Sequence, residues 1–235
     1  MEKDIQIIPL GGVNEIGKNM YVLRYKDEMI VIDSGVMFPD DEMLGIDYVI
    51  PDMSFLIENK EKVKAVFLTH GHEDHIGSLP YFLQEIDVPV YGTTLTLGLV
   101  RPKLKEFKLS DEKFRQVHIG DRVTEGSFKV EFIRVNHSIP DGAALAIATP
   151  AGVIIHSGDF KFDQTPIDGK VTDYHRFADY GNNGVLALLC DSTNANKDGY
   201  TPSEREVGES FDSILKNNPN RVLMATFASN IHRIQ

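Results

Sequence analysis

Residues 69–77 read Thr69-His70-Gly71-His72-Glu73-Asp74-His75-Ile76-Gly77, at the end of a nearly continuous apolar run over 63–69. Four side chains that bind metals well, His70, His72, Asp74 and His75, fall within six positions. One residue separates His70 from His72, so a sharp loop can aim both imidazoles at a single ion. Asp74 and His75 follow at once and can face a second ion close by. Imidazole and carboxylate donors without a thiolate suit zinc or manganese. A closed structural zinc site needs four protein ligands on one ion, whereas this run divides between two and leaves room for water. The bland alternative, four solvated polar residues in a turn, does not account for such a density of ligands.

The apolar run itself has the texture of a strand buried on both faces. Ser78, Leu79 and Pro80 then open a helix to about Ile86, with Ser78 as N-cap and proline in the tolerated first turn. His70 to His75 are thereby expected on the loop between a central strand and the next helix. Working outward, 5–10 reads as a strand ending in the Gly11-Gly12 turn, and 20–25 and 29–33 read as a hairpin around Lys26-Asp27-Glu28. Further strands are expected at 88–91, 115–118, 128–135, 144–148, 153–156 and 185–190, with a helix from Thr93. Strands with interspersed helices and no repeat indicate an α/β fold in which helices sandwich two sheets. After Tyr200 the texture changes: a helix from Thr201-Pro202-Ser203-Glu204 to about Lys216, a turn, and a strand over 221–227. The chain stops at Gln235 inside what reads as another helix start, so a truncated second unit is expected.

A chain of 235 residues, 42% hydrophobic, can bury one sizeable core and the start of another. No apolar stretch is long enough to span a bilayer, and residues 1–10 lack the features of a signal peptide. Cys190 is the single cysteine, which excludes an intrachain disulfide and fits a reducing, cytoplasmic setting. It lies in an apolar stretch and is expected to be buried. The net charge of -11 weighs against a polyanionic partner. Two divalent ions would bring back positive charge at the site itself. Arg101, Lys103, Lys105 and Lys108 gather nearby in sequence, but a solvated helix face explains them as well.

Two ions need more than four ligands, and other strand ends supply them. His137 follows the strand over 128–135, and Asp159 follows that over 153–156 in Ser157-Gly158-Asp159, where glycine lets the backbone turn beside an ion. Both read as companions to the histidine run. Asp33 ends a strand before Ser34-Gly35 and is either a turn cap or a carboxylate that orients a ligand histidine from behind. Asp191, in Cys190-Asp191-Ser192-Thr193-Asn194, reads equally as a turn-forming residue. His156 reads as a core histidine, and His118 and His175 as surface residues.

With these residues assembled, the chain resembles the metallo-β-lactamase superfamily, whose hallmark is His-x-His-x-Asp-His. Within it the chain is most similar to the β-CASP ribonucleases of the ribonuclease J family. The resemblance rests on Leu10-Gly-Gly-Val-Asn-Glu-Ile-Gly-Lys-Asn19, Ile32-Asp-Ser-Gly-Val-Met-Phe-Pro39, Thr69 to Gly77, and Asn136-His-Ser-Ile-Pro140. It extends through His156-Ser-Gly-Asp-Phe-Lys161, Cys190-Asp-Ser-Thr-Asn194 and Thr226-Phe-Ala-Ser-Asn-Ile-His-Arg233.

The resemblance implies an αββα four-layer sandwich over residues 1–199 and the first elements of a β-CASP domain over 200–235. It implies that His70, His72 and His137 hold one ion, that Asp74 and His75 hold the other, and that Asp159 bridges them. Zinc is the expected metal and manganese the second choice. Asp74 would also hold the attacking water. Asp191 matches the acidic, catalytic residue of the first β-CASP motif, which orients a later histidine, and Ser229, Asn230 and Ile231 match a segment that contacts RNA. Asn14, Lys18 and Asn19, in the glycine-rich first loop, could line the entrance.

The implied activity is hydrolysis of RNA in processing and decay, both 5′-to-3′ exonucleolytic and endonucleolytic, in a homo-oligomer or with a paralogous subunit. Family members carry two further histidines beyond the β-CASP insertion, at positions this chain does not have. The expectation is a first ion held well, a second held weakly, and RNA cleaved poorly or not at all. A thioester hydrolase of the glyoxalase II type on the same scaffold is the competing expectation, and a non-catalytic partner subunit the third.

Overall fold

A computed structural model describes residues 4–231. Strands β1 (Ile5–Gly11), β2 (Met20–Tyr25) and β3 (Glu28–Ile32) form an antiparallel meander. Helix α1 (Ser54–Glu58) leads to β4 (Val63–Phe67), which pairs parallel with β3. A short helix α2 (Glu73–Ile76) and α3 (Leu79–Glu85) follow, then β5 (Val90–Gly92), α4 (Thr94–Glu106) and β6 (Phe114–Gln116). These six strands make one sheet in the order β1-β2-β3-β4-β5-β6. The second sheet comprises β7 (Arg122–Glu125), β8 (Phe128–Arg134), β9 (Ala143–Thr149), β10 (Gly152–His156) and, after α5 (Tyr174–Asn183), β11 (Ala187–Leu189). Its order is β11-β10-β9-β8-β7. Helix α6 (Glu204–Lys216) follows, after the second sheet.

Side-chain alternation along the strands builds the layers. Val22, Met29, Val31 and Val66 point to one face of the first sheet and pack with Leu56, Leu79, Phe82, Leu97 and Val100 from the helices. Leu23, Ile30, Ile32 and Phe67 point to the other face and meet Phe128, Val130, Phe132 and Leu145 of the second sheet. Ile133, Val135 and Ile155 face outward from the second sheet, where Phe177 and Tyr180 of α5 pack on them. Helix, sheet, sheet and helix thus stack as the expected four-layer α/β sandwich.

Local outcomes depart from the sequence expectations in several places. Ser78 does precede α3, but its hydroxyl bonds Ser34 Oγ at 2.8 Å instead of capping the helix. Asp74 and His75 lie in α2, not on an open loop, with His72 as its N-cap residue. Residues 221–227 form no strand, because no partner strand lies beside them among the described residues. Cys190 is exposed: it falls just past β11, an edge strand with its outer face uncovered. Among the described residues no helix is long and apolar enough to cross a membrane.

Candidate metal centre

Parallel pairing of β3 with β4 brings their C-terminal ends to the same edge of the first sheet, where Asp33 directly follows β3 and Thr69 lies two residues past β4. The ends of β8 and β10 deliver His137 and Asp159 from the second sheet. A backbone bond from Ala143 N to Thr69 O, 2.9 Å, ties the two sheets together at this edge. Glycine suits position 158: its φ is 57°, and a Cβ would stand 3.1 Å from both Thr69 Cβ and Ala143 O, a tight fit that glycine avoids as the Asp159 loop passes.

Three imidazoles converge. His72 Nδ1 lies 3.0 Å from His70 Nε2 and 3.1 Å from His137 Nε2. Asp159 Oδ2 joins them at 3.6 Å from His137 Nε2 and 4.0 Å from His70 Nε2. The other oxygen of the same carboxylate, Oδ1, is 3.2 Å from His75 Nε2, and Asp74 Oδ2 is 3.6 Å from that nitrogen. Two groups of candidate ligands result, His70-His72-His137-Asp159 and Asp74-His75-Asp159, sharing Asp159.

The residues behind the ligands set their tautomers. Asp33 is fully buried at φ 60°, a conformation that aspartate tolerates better than most residues. It accepts bonds from Thr69 N, from the Thr69 hydroxyl (2.8 Å each) and from His75 Nδ1 at 2.7 Å. Having donated to Asp33, the Thr69 oxygen can accept from His70 Nδ1 at 3.1 Å. Both histidines are thereby held by a protonated Nδ1, and in their neutral forms present an Nε2 lone pair to the cluster. Thr69 went unnoticed in the sequence. Its only mark there is a hydroxyl at the end of an apolar strand, one residue before a ligand.

This donor set fits divalent metal. His72 Nδ1 can donate to only one of its two imidazole neighbours, so a proton cannot satisfy all three nitrogens, whereas a cation can. Tetrahedral zinc with nitrogen ligands at 2.0–2.1 Å requires separations of about 3.3 Å between them, close to the spacing found. Burial pushes the pKa of His70 well below its usual value, lowers that of His72, and takes His137 to about 4, so all three offer neutral nitrogens at pH 7. Burial also opposes charge on His75, but Asp33 and Asp159 outweigh it and raise its pKa. Asp159 pays a burial penalty that His75 and its neighbours more than offset, which keeps the carboxylate ionised.

A family model described as the metallo-beta-lactamase superfamily matches residues 13–225, nearly the whole chain. The chain belongs to the metallo-beta-lactamase superfamily. Within that superfamily it is 50% identical to Ribonuclease J of Thermus thermophilus over 98% of its length. It is 51% identical to Ribonuclease J2 of Bacillus subtilis over 99% of its length. It spans 42% of each of these relatives. A crystal structure of a protein of unknown function from Enterococcus faecalis superposes on 97% of the chain and 61% of its own, with a TM-score of 0.70 and 20% identity, which shows shared fold.

The remaining residues singled out from the sequence lie elsewhere in this metallo-beta-lactamase fold. Asp191 is in neither ligand group: its Oδ1 accepts from Thr193 N at 2.8 Å, and its own N–H bonds Ser157 Oγ at 2.9 Å. Ser229, Asn230 and Ile231 bond locally: Asn230 N to Phe227 O, Ile231 N to Ser229 O, and Asn230 Nδ2 to Thr226 Oγ1. Residues 232–233 of that segment lie outside the described residues. Lys18 pairs with Glu15 at 3.1 Å, and Asn14 is exposed. His156 is a core histidine, its Nδ1 accepting from Gly158 N at 3.1 Å. Lys103 of the basic group reaches Glu73 of α2 at 2.7 Å.

Proposed function

We propose that this chain carries the metal centre of a ribonuclease that hydrolyses RNA phosphodiester bonds with two divalent ions, zinc or manganese. The sharing of Asp159 between two ligand groups carries the proposal, because it is what a paired-ion centre needs and a single-ion site does not. His70, His72 and His137 would hold one ion, Asp74 and His75 the other, with one oxygen of Asp159 toward each. Bound there, such ions make water acidic enough to ionise near neutral pH and take up charge on phosphate oxygens.

The side chains prepare the site for that chemistry. Asp33 and Thr69 hold His75 and His70 by Nδ1, which turns Nε2 of each toward the cluster. His70 is neutral there, whereas His75, its pKa raised by Asp33 and Asp159, releases its Nε2 proton when an ion binds. Asp74, one-third exposed, presents its carboxylate at the solvent side, where it can orient incoming water. The similarity to proteins named Ribonuclease J supports RNA as the substrate class. Local cationic charge from the ions would offset the net charge of -11, which otherwise disfavours a phosphate backbone.

The test is a parallel assay of the zinc- or manganese-loaded chain on 5′-monophosphorylated RNA and on a thioester, with His72→Ala beside it. Slow RNA turnover that vanishes in the variant, and no thioester turnover, is the expected result. Thioester hydrolysis without RNA cleavage would overturn the proposal in favour of a small-molecule hydrolase.

A further inference from the structure

Asn19 stands over the second ligand group. The residue follows the glycine-rich loop 11–18 and immediately precedes β2. Its backbone N–H donates to Asp74 O at 3.0 Å, and its carbonyl accepts from Gly35 N at 3.0 Å, so its position is fixed before its side chain is considered. The carboxamide Nδ2 donates to that same Asp74 carbonyl at 3.1 Å and lies 3.4 Å from Asp74 Oδ2 and 3.1 Å from His75 Nε2. One amide therefore touches two of the three side chains in the Asp74-His75-Asp159 group. Lying 55 residues from Asp74 in the chain, it is brought there by the fold and not by proximity in sequence.

From this geometry we infer that Asn19 is a positioning residue for the second ion, aligning the Asp74 carboxylate and leaving His75 Nε2 open. The inference rests on the paired-metal reading above. Nδ2 has two hydrogens and three acceptors within reach. When His75 Nε2 gives its lone pair to an ion, both hydrogens remain satisfied by the carbonyl and carboxylate of Asp74. The amide then holds a ligand carboxylate by hydrogen bonding, an arrangement whose removal typically costs about 10–100-fold in metal affinity.

Gly12 makes room for this contact. A Cβ at residue 12 would stand 2.4 Å from Asn19 Oδ1, and the residue has φ 79°. Gly11-Gly12 reads in the sequence as a tight turn; in the fold the second glycine also seats the carboxamide. A side chain at position 12 would meet the carboxamide first, with Asn19 Cα next at 3.3 Å, and would strain the backbone at that φ, so Gly12→Ala is a second variant whose melting temperature is read beside its binding.

Zinc titrated calorimetrically into the metal-free 235-residue chain, together with thermal melting of each metal-free protein, tests the inference. Wild type is expected to show two binding steps. Asn19→Ala and Gly12→Ala should each weaken the second step at least about 10-fold and leave the first unchanged. Asn19→Ala should also leave the melting temperature unchanged, because the backbone bonds of residue 19 are retained. An unchanged second step in both variants overturns the inference. So does a tightened second step, which would make the amide a placeholder that the ion displaces. Equal weakening of both steps with a lowered melting temperature overturns it as well, leaving only a structural role. A wild-type chain with no second step removes the paired-metal reading itself, and the inference falls with it.

Discussion

Asp33 Oδ2 lies 2.7 Å from His75 Nδ1, although 42 residues separate them in the chain. Both are buried, so the carboxylate fixes which nitrogen of the imidazole faces the ligand cluster. Replacing Asp33 by alanine should weaken binding of the second ion by about 10–100-fold. It also strands the buried Thr69 N–H, at a cost of about 1–3 kcal/mol in stability. Metal titration and denaturant unfolding of Asp33→Ala check the two effects separately.

His72→Ala removes the nitrogen on which the three-imidazole group converges. The variant should lose the first ion and all metal-dependent RNA cleavage. Its melting temperature in the metal-free state should stay close to wild type, since His72 is only partly buried and belongs to no apolar cluster. Atomic absorption and circular dichroism on the same preparation decide this.

Phe132→Ala should behave in the opposite way. Phe132 is fully buried between the sheets, 6.2 Å from the Phe67 ring centroid. Its truncation should cost about 3–5 kcal/mol by leaving a cavity in the inter-sheet core. Ligand identity is untouched, so whatever fraction remains folded should still take up metal. Urea unfolding with a parallel metal assay measures both.

Glu131 contributes stability that is lost in acid. It faces outward from β8 under α5 and accepts from Arg176 Nη2 at 2.8 Å, Tyr180 OH at 2.7 Å and Arg122 Nε at 2.8 Å. The Arg176 bonds, against the opposition of burial and with help from Tyr180 and Arg122, bring its pKa from 4.5 to about 2. Because the folded-state value is depressed, its stabilising contribution is complete above about pH 4.5 and declines as pH falls through about 2. Glu131→Gln should be less stable than wild type at pH 7, and its stability should change less between pH 4.5 and 2. Unfolding free energies measured across that range provide the comparison.

Much of the site was legible because its chemistry is local. His70, His72, Asp74 and His75 are consecutive or nearly so, and His137 and Asp159 each follow an apolar run that could only be a strand. Asp33 was ambiguous, since a carboxylate at a strand end reads equally as a turn cap. Only the parallel pairing of β3 with β4 places it against Thr69 and His75. Asn19 was visible as part of a loop, yet its contact with Asp74 depends on tertiary approach that no spacing encodes. Helix α5, Tyr174–Asn183, escaped notice because tyrosine, glycine and asparagine are poor helix formers and its amphipathic face is short. The strand expected over 221–227 shows the reverse error. Apolar texture suits a strand, but a strand exists only where a partner edge is available.

Counting bound ions in wild type and in Asp159→Ala, by metal analysis after equilibrium dialysis against saturating zinc, tests the shared-carboxylate centre most directly. Two ions per chain in wild type, with loss of the second and weakening of the first in the variant, is the predicted result. A wild-type chain that holds a single ion, or an Asp159→Ala chain that still holds two, would contradict it.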